Sequence, residues 1–194
     1  MNTLSVCVYC GSRPGESGLH ADAARAIGTE IGRRGWQLVY GGGRAGLMGI
    51  VADAALAAGA SVIGVIPQSL MARELGHTVL TELHVVETMH ERKMMMAERS
   101  DAFLALPGGI GTFEELFEVW SWRQLGYHDK PLGLLNVAGY YDALLAFLRQ
   151  GRDHGFMSQQ QLDLLHVATD PAAMLQILGE LSALATAPDD YRRI

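Results

Sequence analysis

The sequence predicts an α/β domain in which a parallel sheet carries helices on both faces. Three observations support this fold class. Short apolar runs alternate with segments long enough to form helices, and most of these runs are apolar at nearly every position, as in strands buried on both sides. The chain has 194 residues, which suits one core and leaves no room for a second domain. These features together describe a single-domain, Rossmann-like, doubly wound sheet.

The predicted strands and helices alternate along most of the chain. Strands are expected at 4–10, 36–40, 61–67, 83–87, 102–107 and 131–137. Helices are expected at 18–34, 47–58, 88–100, 112–125, 140–154 and 171–184. We therefore expect one domain over residues 1–184, followed by a loosely held tail over residues 185–194.

Charge and composition narrow the range of partners. The chain carries 21 acidic against 15 basic side chains, a net charge of −6 that disfavours binding to nucleic-acid phosphates. Its start has no signal-peptide pattern, and no apolar run is long enough to cross a bilayer, so we expect a cytoplasmic protein without a membrane partner. Cys7 and Cys10 lie in one predicted strand and should face opposite sides of the sheet, so we predict buried thiols and no metal site.

Three predicted strands end in turns rich in glycine, and ligands of doubly wound sheets bind at such turns. We name them the first glycine turn, CGSRPGESG, the second, YGGGRAGLMG, and the third, LPGGIGT, which begin at residues 10, 40 and 106. The second contains Gly-x-Gly-x-x-Gly at Gly41, Gly43 and Gly46, a pattern that can bind a dinucleotide pyrophosphate. Because it follows the second strand, and no acidic residue ends the next one, we disfavour NAD binding. Glycines that let a helix pack close to the sheet are the alternative.

The third glycine turn has the features of an anion site. Pro107 ends the predicted strand, and Gly108, Gly109 and Gly111 allow the backbone to turn before a helix that is expected to begin at Thr112. The first N–H groups of a helix have no partner within the helix and, together with the helix dipole, attract a phosphate. The sequence therefore predicts a phosphate site at this turn.

Three glutamates follow this turn, and Glu115 allows two interpretations. Thr112 and Glu115 fit the capping box Thr-x-x-Glu, which would explain the carboxylate without any chemistry. The alternative is a carboxylate that acts on a bound substrate. Glu114 and Glu118 are interpreted as solvated residues that suit the positive end of the helix dipole.

The helix predicted at 88–100 carries two adjacent cations among several methionines. Met89, Arg92 and Lys93 share one face of it through their spacing. The cations are interpreted either as a solvated pair or as part of a binding site. Since this helix and the one at 112–125 are both apolar on more than one side, we expect the two at or near a dimer interface.

These residues resemble a known family. LPGGIGTFEE and MHERK are similar to the paired signatures of the Lonely Guy family, Pro-Gly-Gly-x-Gly-Thr-x-x-Glu and the Arg-Lys of the preceding helix. The likeness continues through CGSRPG, YGGGRAGLMG, SWRQLGYHDKPLGLLN and GYYDALLAFL, and so covers most of the chain. It implies a homodimeric, Rossmann-like nucleoside 5′-monophosphate phosphoribohydrolase. Such enzymes release free base and ribose 5-phosphate from N6-substituted AMP (cytokinin nucleotides), and some members also accept AMP.

The resemblance assigns roles to particular residues. It implies that Glu115 is catalytic together with Arg92, and that neither a metal nor a cofactor takes part. The substrate-binding set that we predict on this basis is Lys93, Gly108, Gly109, Gly111, Thr112, Gly11, Ser12, Gly42, Gly43 and Met89. One departure concerns His77, which stands where some members have a glutamate that touches the substrate. This difference bears on base preference and not on the hydrolysis.

The implied chemistry follows from charge. Cleavage of the N9–C1′ bond builds positive charge on the ribose, which Glu115 would stabilise while taking a proton from the attacking water. Arg92 stays charged at all usable pH values, so we expect it to bind oxygen atoms and orient Glu115 instead of protonating the base. Asp101 is a candidate for that protonation, with a structural hydrogen bond as its alternative. The competing function is a non-enzymatic carrier of nucleotides or of molybdenum cofactor with a similar fold.

Overall fold

The computed structural model describes residues 3–71 and 76–191. Its strands are β1 (Ser5–Tyr9), β2 (Gln37–Tyr40), β3 (Ser61–Pro67), β4 (Glu82–Val86), β5 (Ala102–Ala105), β6 (Leu132–Leu135) and β7 (Leu165–Ala168). They form one seven-stranded sheet in the order β4-β3-β2-β1-β5-β6-β7, and every pairing within it is parallel. The predicted fold class is confirmed. The strand order reverses between β1 and β5, which opens a crevice at the carboxyl ends of these strands.

Helices cover both faces of the sheet. They are α1 (Gly18–Arg33), α2 (Gly46–Ala57), α3 (Met89–Glu98), α4 (Ile110–Gln124), α5 (Asp142–Asp153), α6 (Gln159–Asp163) and α7 (Pro171–Ser182). Side chains of α1, α2 and α7 pack in the apolar core on one face, and those of α3, α4, α5 and α6 pack in the core on the other. Within the described ranges, no helix is both long enough and apolar enough to span a bilayer.

The sequence predicts six of the strands and six of the helices, but neither α6 nor β7. β7 is a four-residue strand at the edge of the sheet in which only Leu165 is buried. α6 has five residues, fewer than two turns of helix. Both elements are therefore too short and too exposed to produce a clear apolar period in the sequence.

β1 lies at the centre of the sheet and contributes to both cores. Val6, Val8 and Cys10 point into the core beneath α1 and α2, whereas Cys7 and Tyr9 point into the other. The predicted opposite orientation of the two buried thiols is thus confirmed. Burial raises the pKa of the Cys7 thiol to about 12, so this thiol is neutral at physiological pH.

The tail differs from its prediction as a loosely held segment over residues 185–194. The carboxylate of Asp129 accepts hydrogen bonds at 2.8 Å from the backbone amides of residues 186 and 187. Tyr191 is only 6% exposed and lies in the core beneath α4. The prediction is therefore wrong up to Tyr191, because an aromatic anchor and a carboxylate hold the chain; residues 192–194 lie outside the described residues.

Candidate active site

The first and third glycine turns meet at the crevice between β1 and β5. The amide of Gly11 in the first turn donates a hydrogen bond of 3.1 Å to the carbonyl of Pro107 in the third. The carbonyl of Gly11 accepts a bond of 2.9 Å from the amide of Leu47, at the end of the second turn. Backbone hydrogen bonds therefore join all three turns at one edge of the sheet.

Helix α4 begins two residues earlier than the sequence predicts. Its N-cap is Gly109, which has an extended backbone and no side chain to cap the helix. Thr112 is consequently the third helical residue and is 3% exposed. The capping box of Thr112 and Glu115 is therefore wrong as an explanation of Glu115. The uncapped helix end directs its first N–H groups toward the crevice, as an anion site requires.

Gly108 lies in close contact with both the first glycine turn and the start of α4. A Cβ atom at this position would lie 2.0 Å from Oγ1 of Thr112 and 2.9 Å from the amide nitrogen of Gly11. Both distances are shorter than van der Waals contact, so a side chain here would push the first turn away from the start of α4. The glycine thus brings the two turns together.

A cavity of about 190 Å³, here called the small cavity, opens at the start of α4. Among the described residues it is lined by Cys10, Gly11, Ser12, Met48, Arg92, Gly109, Ile110, Gly111, Thr112 and Glu115. Seven of these ten belong to the predicted site. The other three, Cys10, Met48 and Ile110, are not among the predicted site residues, although all three lie within the glycine turns.

Arg92 enters the small cavity from α3 and is almost completely buried. A capping box formed by Thr88 and Glu91 starts α3 just before it. Its Nε atom donates to the carbonyl of Val65 at 3.2 Å, and its Nη2 atom donates to the carbonyl of Gly41 at 3.1 Å. A carbonyl group of β3 and one at the start of the second glycine turn therefore fix the plane of the guanidinium.

Glu115 faces this guanidinium from the first turns of α4. Its Oε1 atom lies 3.9 Å from Nη1 of Arg92, and the two side chains are 12% and 6% exposed. At such low exposure, opposite charges interact more strongly than they do in water. The arrangement places a carboxylate, a guanidinium and a helix N-terminus around one cavity.

Lys93 lies outside this group. Its Nζ atom is 2.6 Å from Oε1 of Glu114 and 2.8 Å from Oε1 of Glu118. Burial lowers the pKa of Lys93, but the hydrogen bonds to both glutamates more than offset that effect and raise it overall. Lys93 thus joins α3 to α4, and Glu114 and Glu118 are its partners and not simply solvated helix residues.

Other predicted substrate contacts also lie away from the small cavity. Among the described residues that line it, Met89, Gly42, Gly43 and Gly108 do not occur. Met89 is 42% exposed at the start of α3, with its sulfur 3.8 Å from Nη1 of Arg92. Gly42 and Gly43 are buried behind the site, and Gly108 lines a neighbouring cavity.

His77 and Asp101 have structural contacts. His77 is fully buried, its amide donates to the carbonyl of Gly42 at 2.9 Å, and its Nε2 atom lies 2.9 Å from Oδ1 of Asp53. It therefore supports the second glycine turn from behind. Asp101 accepts a bond of 2.7 Å from the amide of Ser5, at the amino ends of β1 and β5. This position is on the opposite edge of the sheet, so Asp101 is wrong as a candidate for protonating the base.

A second cavity, here called the large cavity, adjoins the small one and has a volume of about 750 Å³. The two share Gly11, Ser12, Gly109 and Ile110, so they meet at the start of α4. The large cavity extends toward Tyr140, at the entrance of α5. Tyr140 belongs to the segment GYYDALLAFL of the family resemblance, but the sequence predicts no role for it.

Fold and site together define a class: a Rossmann-like α/β protein whose crevice combines a helix N-terminus with a facing carboxylate and guanidinium. Comparison with known sequences then identifies the family. A family model described as "Possible lysine decarboxylase" matches residues 48–178. The chain belongs to this family, and the resemblance seen in the sequence is confirmed.

Curated relatives in this family carry a more specific name. The chain is 49% identical to the probable cytokinin riboside 5′-monophosphate phosphoribohydrolase LOGL2 of Oryza sativa subsp. japonica, over 91% of this chain and 72% of that protein. It is also 49% identical to the cytokinin riboside 5′-monophosphate phosphoribohydrolase LOG4 of Arabidopsis thaliana, over 91% of this chain and 82% of that protein. Both names describe phosphoribohydrolases of cytokinin riboside 5′-monophosphates.

Solved structures support the fold alone. The molybdenum cofactor binding protein of Rippkaea orientalis superimposes with a TM-score of 0.71 at 20% identity, covering 93% of this chain and 98% of that one. The molybdenum cofactor carrier protein of Chlamydomonas reinhardtii gives a TM-score of 0.71 at 21% identity, covering 94% and 99%. Both likenesses agree with the Rossmann-like architecture.

Proposed function

We propose that this protein hydrolyses the N-glycosidic bond of nucleoside 5′-monophosphates, releasing free base and ribose 5-phosphate. N6-substituted AMP (cytokinin nucleotides) and AMP are the proposed substrates. The observation that carries the proposal is the position of Glu115, which faces Arg92 across a cavity that begins at an uncapped helix N-terminus. The names of the curated relatives support the same reaction.

The 5′-phosphate would bind at the start of α4. Gly109, Gly111 and Thr112 line this end of the small cavity, where the helix N–H groups and dipole favour an anion. The ribose would then lie between Arg92 and Glu115. Because the small cavity is below the volume of about 300 Å³ at which most ligand pockets begin, the purine would extend past Arg92 toward Met89.

The carboxylate of Glu115 would act on the ribose. As the N9–C1′ bond breaks, positive charge develops on the ring, and the nearby carboxylate stabilises it more than it stabilises the substrate. The same carboxylate accepts a proton from the water whose oxygen bonds to C1′ while the N9–C1′ bond breaks. The purine leaves with the electron pair of that bond and takes up a proton from solvent to give the free base. Arg92 would hold phosphate or ribose oxygens while orienting Glu115.

The family description raises pyridoxal phosphate chemistry, which needs a lysine to form a Schiff base with the cofactor. The chain has two lysines, Lys93 and Lys130, and the structure describes both. Lys93 is bound to two glutamates, and Nζ of Lys130 donates to the carbonyl of Ala97 at 2.9 Å. Neither lysine lines the small or the large cavity, so the residues present do not fit this cofactor.

We also propose a homodimer that forms through α3 and α4. Met89, Ile110 and Phe117 are 42%, 86% and 37% exposed on these two helices. Large apolar side chains are enriched at protein interfaces, where a partner removes them from water. A partner seated there would also cover the proposed path of the purine beside Met89.

The test is to incubate the purified protein with AMP and with N6-isopentenyl-AMP and to follow free base by chromatography. We expect base release from one or both, and a loss of at least about 100-fold in Glu115→Gln with AMP affinity nearly unchanged. Glu180→Gln, on the exposed side of α7, is the control and should match the wild type. Binding of AMP without cleavage would contradict the proposal and favour a carrier.

A further inference from the structure

We propose that Tyr140 and Tyr141 are positioning residues that orient the backbone of the phosphate site. The inference rests on the proposed function, because it takes the start of α4 as the place where the 5′-phosphate binds. Neither tyrosine lines the small cavity, and both belong to the turn that leads into α5. Their hydroxyl groups nevertheless reach the third glycine turn.

Three consecutive carbonyl groups of the third glycine turn accept hydrogen bonds. The hydroxyl of Tyr141 donates to the carbonyl of Leu106 at 2.7 Å, and the hydroxyl of Tyr140 donates to the carbonyl of Gly108. The carbonyl of Pro107 between them accepts from the amide of Gly11. Two of the three donors are therefore side chains from the entrance of α5, far away in the sequence.

The bond to Gly108 bears directly on anion binding. The carbonyl of Gly108 and the N–H of Gly109 belong to one planar trans peptide group, so they point in opposite directions. Holding the oxygen toward Tyr140 therefore directs the N–H of Gly109 away from Tyr140. Rotation of this peptide would instead bring a partially negative oxygen to the place where a phosphate is to bind.

The segment 136–141, which carries the two tyrosines, contains a strained backbone conformation that hydrogen bonds hold in place. Ala138 adopts the left-handed conformation, with φ 50° and ψ 33°, which is strained for a residue with a Cβ atom. The side chain of Asn136, at the start of the segment, is bonded to its end, since its Oδ1 atom accepts from the amide of Tyr141 at 2.8 Å and its Nδ2 atom donates to Asp142 at 2.7 Å. Strained backbone that is held in this way is typical of functional sites.

The two tyrosines differ in what else they contribute. Tyr141 is 1% exposed and belongs to the core, so its replacement would also affect stability. Tyr140 is 42% exposed on the wall of the large cavity, and its ring makes an edge contact with His20 that a phenylalanine would keep. Removing only the hydroxyl of Tyr140 therefore tests orientation of the turn with little change in packing.

The experiment compares wild-type protein with Tyr140→Phe and with the control Tyr127→Phe, which alters a tyrosine remote from both cavities. Binding of inorganic phosphate is measured by calorimetry, AMP turnover by base release, and Tm by thermal unfolding. We expect Tyr140→Phe to bind phosphate about fivefold more weakly and to raise KM for AMP by a similar factor. We expect kcat to stay within about twofold and Tm to match that of the control.

Unchanged phosphate affinity in Tyr140→Phe would overturn the inference. A change confined to kcat would also overturn it, and so would a loss of phosphate affinity that accompanies a fall in Tm. A wild-type protein that binds no phosphate would overturn it as well. Because phosphate binding is measured directly, the outcome is separate from that of the proposed function. Phosphate bound in a Tyr140-dependent way, without cleavage of AMP, would support the orientation of the turn and contradict the hydrolysis.

Discussion

The Nη1 atom of Arg92 lies 3.9 Å from Oε1 of Glu115, which is beyond the length of a normal hydrogen bond. The guanidinium is anchored instead by the carbonyl groups of Val65 and Gly41. The two opposite charges therefore face each other across the small cavity. A substrate oxygen between them could accept from Arg92 while Glu115 acts on the neighbouring carbon.

This geometry predicts that lysine cannot replace Arg92. Lysine carries its three N–H donors on one nitrogen and lacks the planar fork by which Nε and Nη2 reach two separate carbonyls while Nη1 faces Glu115, so a buried carbonyl would lose its donor. We expect Arg92→Lys to lower kcat/KM for AMP by about 100-fold. Arg99→Lys, at the exposed end of α3, is the control, and activity of the Arg92 variant within about threefold of the wild type would contradict the prediction.

The ion pairs of Lys93 predict a structural effect. Replacing Lys93 by methionine removes partly buried bonds to Glu114 and Glu118, for which we expect a loss of about 1 kcal/mol and a fall in Tm of about 2–4 °C. Phosphate affinity, measured by calorimetry, should stay within about twofold. A tenfold loss of phosphate affinity would instead restore Lys93 to the substrate-binding set.

The docking of the tail can be tested at Tyr191. Its ring lies against Trp122 and His128 and is 5.1 Å from Nζ of Lys130, so Tyr191→Ala should cost about 3 kcal/mol in the free energy of unfolding by urea. Over the described parts of the chain, no group lies within hydrogen-bond reach of the Tyr191 hydroxyl. Tyr191→Phe should therefore be neutral or stabilising. Equal stability of all three proteins would show that the tail is loosely held after all.

His128 predicts a loss of stability in mild acid. Burial lowers its pKa to about 4, although the bond from Nε2 to the carbonyl of Val119 favours the charged form. Between about pH 4 and 6.5 the unfolded chain binds a proton at this histidine that the folded chain does not, so stability rises with pH. Lowering the pH from 7 to 4 should reduce the free energy of unfolding by about 3 kcal/mol from this group. Urea titrations should show a flatter dependence in His128→Gln; an identical slope would contradict the assignment.

If the proposed dimer forms, a charged side chain placed in its interface should halve the particle mass measured in solution. Phe117 is partly exposed on α4 and stacks on Trp120, so Phe117→Glu would place a carboxylate in the interface. We expect light scattering to give twice the chain mass of 21.0 kDa for the wild type and the chain mass for this variant. Phe147→Glu, on the exposed side of α5, is the control and should remain a dimer. A monomeric wild type would contradict the prediction.

Local sequence patterns predicted the sheet because its central strands are short apolar runs with helix-length connections. The same patterns misplaced the cap of α4. Thr88 with Glu91 and Thr112 with Glu115 are both Thr-x-x-Glu, yet only the first pair forms a capping box. The extended backbone of Gly109 starts α4 earlier, and packing between the first and third turns decides this outcome. Tertiary contacts therefore separated two patterns that are identical in sequence.

The site could be predicted only as a set of neighbouring turns. Arg92 and Lys93 are adjacent in sequence, and nothing local indicates that the first enters the small cavity while the second joins two helices. No local sequence pattern indicates a role for Tyr140, because its contact with Gly108 joins residues that are 32 positions apart. Residues that act through the backbone of another segment require the folded chain to be recognised.

Cys10 has a practical consequence for handling this protein. The residue borders the small cavity, but its side chain points into the core beneath α1 and α2, and burial raises the pKa of its thiol well above the usual range. Alkylating agents and peroxide react with the thiolate, so the Cys10 thiol should remain unmodified near neutral pH. The protein should therefore keep its activity on storage in air without a reducing agent.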